Sequence, residues 1–143
     1  MAESHPKFDV SLVTPDGAAF DGEAEMIVVP GAAGEIGVLA RHAPLVATLK
    51  AGSTRIHVTP TEIVEFATGP VFFKVELDRA LALVDDAVSV KEIDDERART
   101  QLESARAELE KLDAGDSTAD RWQLEQRIKH AENQLSVSGR TTG

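Results

Sequence analysis

The sequence predicts an α+β protein: an N-terminal antiparallel β-sandwich over residues 1–90, a C-terminal two-helix antiparallel hairpin over residues 91–137, and a flexible tail, 138–143. Two observations carry this. From Phe8 to about Val90 the apolar residues come in short runs cut by Gly, Pro and Asp, the pattern of many short strands. After Lys91 the composition turns to Ala, Glu, Arg, Leu and Gln, and the apolar period becomes helical.

The predicted strands are FDVSLVT from Phe8, EMIVVP from Glu25, VATL from Val46, RIHVT from Arg55, EIVEFA from Glu62, VFFKVEL from Val71 and ALALV from Ala80. Most alternate: Phe8, Val10 and Leu12 share one face, and Arg55, His57 and Thr59 flank Ile56 and Val58. The separators Pro15-Asp16-Gly17, Asp21-Gly22, Thr59-Pro60-Thr61, Gly69-Pro70 and Asp78-Arg79 carry turn chemistry, so hairpins are the expected connections.

In the second half, Ala98, Leu102, Ala105, Leu109 and Leu112 are spaced four, three, four, three, which lays one stripe along a helix from about Asp95 to Leu112. Leu124, Ile128, Ala131 and Leu135 repeat it. Between them lies DAGDSTAD, where Gly115 suits the end of the first helix and Ser117 with Asp120 matches a capping box for the second. These narrow, alanine-rich stripes bury little, so the hairpin is expected to be mobile. The polar stretch Ser136 to Gly143 is expected to fray.

A net charge of −10 argues against nucleic acid as a partner, because phosphate binding needs clustered Lys and Arg. Zero cysteines remove disulfides and thiolate metal sites, and cytoplasmic exposure is the expectation. MAESHPKFDV lacks the pattern of a signal peptide, and no apolar run approaches a membrane span, so membrane association is expected only through another protein. There is no GxxxxGK[ST] loop, GxSxG elbow, HExxH pair or strand followed by GxGxxG. His5, His42, His57 and His130 have no local metal-ligand spacing, so neither a metal nor a catalytic set is expected. DAGDSTAD reads better as helix capping than as a calcium loop. Trp122, off the Leu124 stripe, is expected to pack on the sandwich, or else to await a partner.

One stretch resists these categories. In GEIGVLARHAPL, Gly34 to Leu45, two glycines bracket Glu35, and His42-Ala43-Pro44 follows. It reads either as a tight strand entry, with Gly34 and Gly37 permitting a turn, or as an exposed docking loop carrying Glu35, Ile36 and His42.

The longer run GEIGVLARHAPLVATLKAGSTRI resembles the epsilon subunit of bacterial F-type ATP synthase, where a G-E-hydrophobic-G loop leads into H-x-P-L and an apolar strand. VTPDG near the start, the strand pair ending in LVDDA and the hairpin ending in NQLSV extend the resemblance over nearly the whole chain. Gly69-Pro70 departs from the family's usual Gly-Gly, which puts the local turn in question.

The resemblance implies a non-catalytic rotor component that couples proton flow through the c-ring to ATP synthesis, peripheral on the cytoplasmic side of the membrane. It implies Glu35, Ile36 and Gly37 in a loop facing the c-ring, and His42 facing the gamma subunit. In similar proteins the hairpin also extends into the head of alpha and beta subunits, where basic residues inhibit ATP hydrolysis; Arg99, Arg106, Arg121, Arg127 and Lys129 are the candidates here. The competing reading of these cations is a solvated face with pairs such as Arg106–Glu110 and Glu125–Lys129. IDDERA is similar to the I/L-D-x-x-R-A motif of ATP-binding relatives, which implies Ile93, Asp94, Arg97 and Ala98 as contacts for ATP as a regulatory ligand. Against it, Asp94 or Asp95 suits a helix cap, and Ser104 and His130 stand where those relatives place arginines. The rival readings are a free-standing ATP-sensing small-molecule binding protein, and a small β-barrel enzyme using Glu35 and His42.

Overall fold

A computed structural model describes residues 5–142, the side chains of 140–142 excepted. The first residues of MAESHPKFDV and the last of the tail, Gly143, lie outside the described residues. The chain divides into two compact units, residues 1–89 and 90–143.

The first unit is one sheet of ten strands: β1 Phe8–Thr14, β2 Gly17–Ala24, β3 Met26–Gly31, β4 Gly34–Leu39, β5 Leu45–Leu49, β6 Gly52–His57, β7 Ile63–Thr68, β8 Val71–Glu76, β9 Arg79–Val84 and β10 Ala87–Ser89. Their order is β10-β7-β6-β3-β5-β8-β9-β1-β2, with β4 on the other edge of β3. All pairs are antiparallel except β1 with β9.

The sheet closes into a sandwich at one corner. β3 meets β5 only at Gly31 opposite Leu49, flanked by Ala32 N–H to Thr48 O at 2.9 Å and Lys50 N–H to Pro30 O at 2.9 Å. On either side of that bridge the inward residues face one core: Val10, Leu12, Phe73 and Val75 from one half, Ile27, Val29, Val38 and Ile56 from the other. The alternation expected of β1 holds, with Phe8, Val10 and Leu12 at 4, 0 and 0 % exposure.

Strands β2, β4 and β10 lie outside the predicted runs. GAAFDGEA of β2 sends Phe20 to the core rim and small Ala24 into the core with Gly22 between them, and β10 is three residues long, so neither shows a clear apolar period in the sequence. The β8–β9 turn is Leu77–Asp78, one residue earlier than the turn chemistry suggested, and both residues have positive φ, as a two-residue hairpin of this twist requires. Gly69-Pro70 is accommodated because the bonds there run from Gly69 N–H to Asp86 O and from Asp85 N–H to Pro70 O; the proline supplies only its carbonyl.

The second unit holds a 3₁₀ turn, Val90–Glu92, then α1 Asp95–Asp113 and α2 Arg121–Thr142. α1 matches the spacing argument, with Ala98 and Ala105 each 2 % exposed. It ends in a Schellman arrangement: Asp116 N–H reaches Lys111 O, Gly115 N–H reaches Leu112 O, and Gly115 has φ +81. The second helix is capped differently from expectation. Asp120 itself accepts from Trp122 N–H at 2.9 Å, while Ser117 donates to Glu108 and accepts from Ala119 N–H. The segment expected to fray continues α2 to Thr142; Val137 and Ser138 are 0 and 7 % exposed, and their burial overrides a poor helical composition. Trp122 does not pack away: it is 67 % exposed.

Gly31 has no room for a side chain, since a Cβ would sit 2.6 Å from Gly34 O and 2.8 Å from Ile36 Cδ1. Gly31→Ala is therefore expected to cost about 1–3 kcal/mol of stability in urea denaturation. Gly22→Ala, whose Cβ would meet only the Phe20 ring at 3.7 Å, is expected to change stability by less than about 0.5 kcal/mol.

Candidate functional site

GEIGVL is a strand, not a loop. β4 runs back along β3 from a turn at Ala32–Ala33, with Gly31 opposite Gly34 and Met26 opposite Leu39. The chain turns at Gly34, φ +141, whereas Gly37 is a mid-strand residue with the Met26 methyl 3.2 Å from where its Cβ would be. The two glycines thus differ in purpose: one permits the turn, the other leaves space for a neighbouring side chain.

Alternation then separates the three residues of this stretch. Glu35 points outward, its side chain 58 % exposed, and accepts a 2.7 Å charge-assisted hydrogen bond from Arg55 of β6 across β3. Ile36 is half-buried against the core rim, so little of it is offered outward. Gly31 to Ile36, with Ala47 and Thr48, line an open cleft of about 420 Å³ floored by small residues. A surface ion pair contributes only about 0–1 kcal/mol, so Arg55 orients Glu35 more than it stabilises the fold.

His42 stands at the other end of the same strand. Four strand steps after Glu35 span roughly 13 Å, and the chain then turns through Ala40 and Arg41, whose φ is +64. That turn is clamped by Asp78 at the β8–β9 tip, whose carboxylate accepts Arg41 N–H at 2.5 Å while its carbonyl accepts Asp9 N–H at 3.2 Å. The His42 ring is exposed, and its Nδ1–H donates to Ala43 O at 2.7 Å. Glu35 and His42 therefore line no common pocket, which removes the arrangement that a β-barrel enzyme using both would need. Arg55 and Asp78, the residues that position Glu35 and His42, carry no local sequence signal because they are 20 and 37 residues away from their partners.

In the second unit, IDDERA forms the start of α1. Asp94 is the N-cap, with φ −100 and ψ 104, and accepts Arg97 N–H at 3.1 Å. Ala98 is buried, Ile93 half-buried, and Arg97 exposed with no ion pair among the described residues. The open cleft of the hairpin, about 310 Å³, lies elsewhere, toward the turn. Its lining includes Ser104, Glu108, Asp120, Gln123 and Arg127, two carboxylates for one cation.

The basic residues fall into two groups. Arg106 pairs with Glu132 of α2 at 3.6 Å rather than with Glu110, and Arg121 donates to Asp113 across the turn. That hydrogen bond is the main reason the Arg121 guanidinium titrates above its ordinary range. Arg99, Arg127 and Lys129 are exposed and make no ion pair among the described residues. Among the described residues no three His, Asp or Glu side chains are grouped to hold a metal ion, and no helix is long and apolar enough to cross a membrane.

Fold and site together define a class: a small β-sandwich protein with a helical hairpin, carrying exposed polar side chains, Glu35 and His42, toward the two ends of one strand. Comparison with known proteins makes this specific. Residues 7–90 match the ATP synthase, Delta/Epsilon chain, beta-sandwich domain. The ATP synthase epsilon chain of Halalkalibacterium halodurans is 36% identical over 136 residues, covering 94% of this chain and 99% of that one. That of Rubrobacter xylanophilus is 36% identical over 135 residues, 92% of each. In fold, the chain is similar to one in the Euglena gracilis mitochondrial ATP synthase OSCP/F1/c-ring structure, with a TM-score of 0.69 at 23% identity, covering 95% of this chain and 84% of that one. The chain belongs to the epsilon-chain family of ATP synthase, a non-catalytic subunit of that complex.

The Asp78 clamp is directly testable. Asp78→Ala is expected to speed hydrogen exchange of the Arg41 amide at least about tenfold, with Asp78→Asn, which keeps an acceptor oxygen, restoring most of the protection.

Proposed function

We propose that this chain is the central-stalk subunit that links the c-ring to the gamma subunit, couples proton flow to ATP synthesis, and restrains ATP hydrolysis through its helical hairpin. The observation that supports it best is the separation of Glu35 and His42 along β4. A rigid strand with a small-residue cleft and an oriented carboxylate at one end, and a clamped turn with an exposed imidazole at the other, suits a part held between two bodies that turn together. On this reading the Glu35 end meets the c-ring and the His42 end meets gamma, and the subunit is peripheral, on the cytoplasmic side of the membrane. Cysteine cross-linking in the assembled enzyme tests it: Glu35→Cys should join to the c-ring and His42→Cys to gamma. The same partner for both would count against the assignment.

Inhibition is assigned to the exposed, unpaired cations Arg99, Arg127 and Lys129, which are available to an acidic segment of the head without first breaking a bond. Arg106 and Arg121 join them only by exchanging one carboxylate partner for another. ATP as a regulatory ligand rests on Arg97, free at the start of α1, with Ile93 and Ala98 beside it; Asp94 would contribute through its cap rather than a free carboxylate. Hydrolysis by the assembled enzyme across ATP concentrations tests both. Truncation after Val90 should raise the rate severalfold with assembly intact, and Arg97→Ala should abolish any ATP-dependent change in inhibition. An unchanged rate after truncation would remove the inhibitory role, and an ATP response that survives Arg97→Ala would remove the ligand site.

A further inference from the structure

The chain's single tryptophan is the largest exposed apolar side chain outside the sandwich, and nothing in the hairpin requires it there. Trp122 occupies the first turn of α2 and is 67 % exposed. Helix stability does not select it, because indole has only middling helix propensity and this one adds nothing to the seam lined by Leu124 and Ala131. Yet its position is tightly set. Its backbone N–H is bonded to Asp120 at 2.9 Å, and the preceding Arg121 is tied to Asp113 across the turn. A large aromatic surface held on a fixed backbone is what an interface anchor needs, since little conformational freedom is lost on docking.

Charge around the anchor narrows the partner. From Glu110 to Glu125 five carboxylates (Glu110, Asp113, Asp116, Asp120 and Glu125) stand against two cations, Lys111 and Arg121, a net −3. One of those cations already donates to Asp113 and lies in the field of Glu125. Away from the turn the charges nearly balance: between Gln126 and Ser138 α2 carries Arg127 and Lys129 against Glu132, and between Asp95 and Leu109 α1 carries Arg97, Arg99 and Arg106 against Asp95, Glu96, Glu103 and Glu108. The hairpin is thus electrically polarised, with its acidic pole at the end that carries the tryptophan.

We propose that this turn end is a docking site in its own right, in which Trp122 enters an apolar pocket edged by lysine and arginine on a protein partner. This contact goes beyond the inhibitory one proposed above and is opposite in sign, since there cations of the hairpin meet an acidic segment. An anionic membrane surface and a second copy of this acidic chain are both disfavoured by repulsion.

The test uses the full-length chain with Trp122 replaced biosynthetically by 5-hydroxytryptophan, which is excited to the red of ordinary tryptophan. The probe is the catalytic assembly of alpha, beta and gamma subunits from the same cell, with co-elution as the binding control. On joining the assembly, acrylamide quenching of the indole should fall at least about threefold, and Trp122→Ala should weaken binding about tenfold or more at low salt. Asp116→Lys, at an exposed position whose side chain makes no bond in the turn, should weaken binding similarly and flatten its salt dependence, with helical circular dichroism unchanged in both variants. Equal quenching in free and bound chain overturns the proposal. So does protection insensitive to both salt and Asp116→Lys, which marks an uncharged contact. Protection that grows with the concentration of the isolated chain, or appears on anionic phospholipid vesicles, overturns it in favour of a second copy or a membrane.

Discussion

The sandwich depends on the close backbone approach at Gly31. Two sheet halves share a single residue pair, Gly31 with Leu49, and the peptide groups on either side of it complete the bridge. Side chains are excluded there twice over: a Cβ on Gly31 would strike Gly34 O, and one on Gly52 would come within 2.8 Å of Pro30 Cβ. Moving strand β4 outward to admit a methyl group at Gly31 would pull Val38, 0 % exposed, off the core that the two halves share. The proposed c-ring face is built on this same corner, because the turn Ala32–Ala33 and the cleft beside Thr48 are its outer surface. Glu35 therefore inherits the rigidity of the most constrained part of the sheet rather than the freedom of a loop.

The hairpin is organised on the opposite principle. Half of its buried positions among the described residues are alanine, so the helices approach closely but remove little apolar area from water, at about 25 cal/mol per Å². Much of its definition comes from the ends: Asp94 and Asp120 as caps, the Schellman turn at Gly115, and Arg121 with Asp113. Each cap contributes on the order of 1 kcal/mol. They fix each helix and the turn between them locally, without committing the unit to a large buried interface.

What the sequence revealed follows from the range of the interactions involved. The alternation in FDVSLVT, the four-three spacing from Ala98 to Leu112 and the glycine at the helix end are local, and each appears in the structure where expected. GEIGVL stayed open between a strand entry and a loop because its outward positions include Glu35 and Gly37, and only pairing with β3 decides for a strand. Likewise the last turns of α2 look like a fraying tail until the burial of Val137 is known. At the site, Glu35 and His42 stood out through a short motif, but Arg55 and Asp78 became visible only once the sheet had brought distant residues together. Capping is an intermediate case: the residues of DAGDSTAD marked a helix start, but which oxygen meets which N–H depends on the path of the turn.

Charge placement links these two modes of construction. In the described hairpin two exposed ion pairs join α1 to α2: Arg106 with Glu132, their side chains 57 and 52 % exposed, and Arg121 with Asp113 across the turn. Exposed pairs are worth so little because water and salt compete for both members, and an external carboxylate competes on the same terms. A body offering several fixed carboxylates could take over Arg106 at almost no net electrostatic cost, while Arg99, Arg127 and Lys129 would add new contacts. The side that opposes such a transfer is the acidic turn, which the same carboxylates would repel. The acidic turn therefore constrains the hairpin's orientation: Arg99, Arg106, Arg127 and Lys129 can turn toward an acidic partner only if the end bearing Trp122 is directed elsewhere or meets a surface of positive charge.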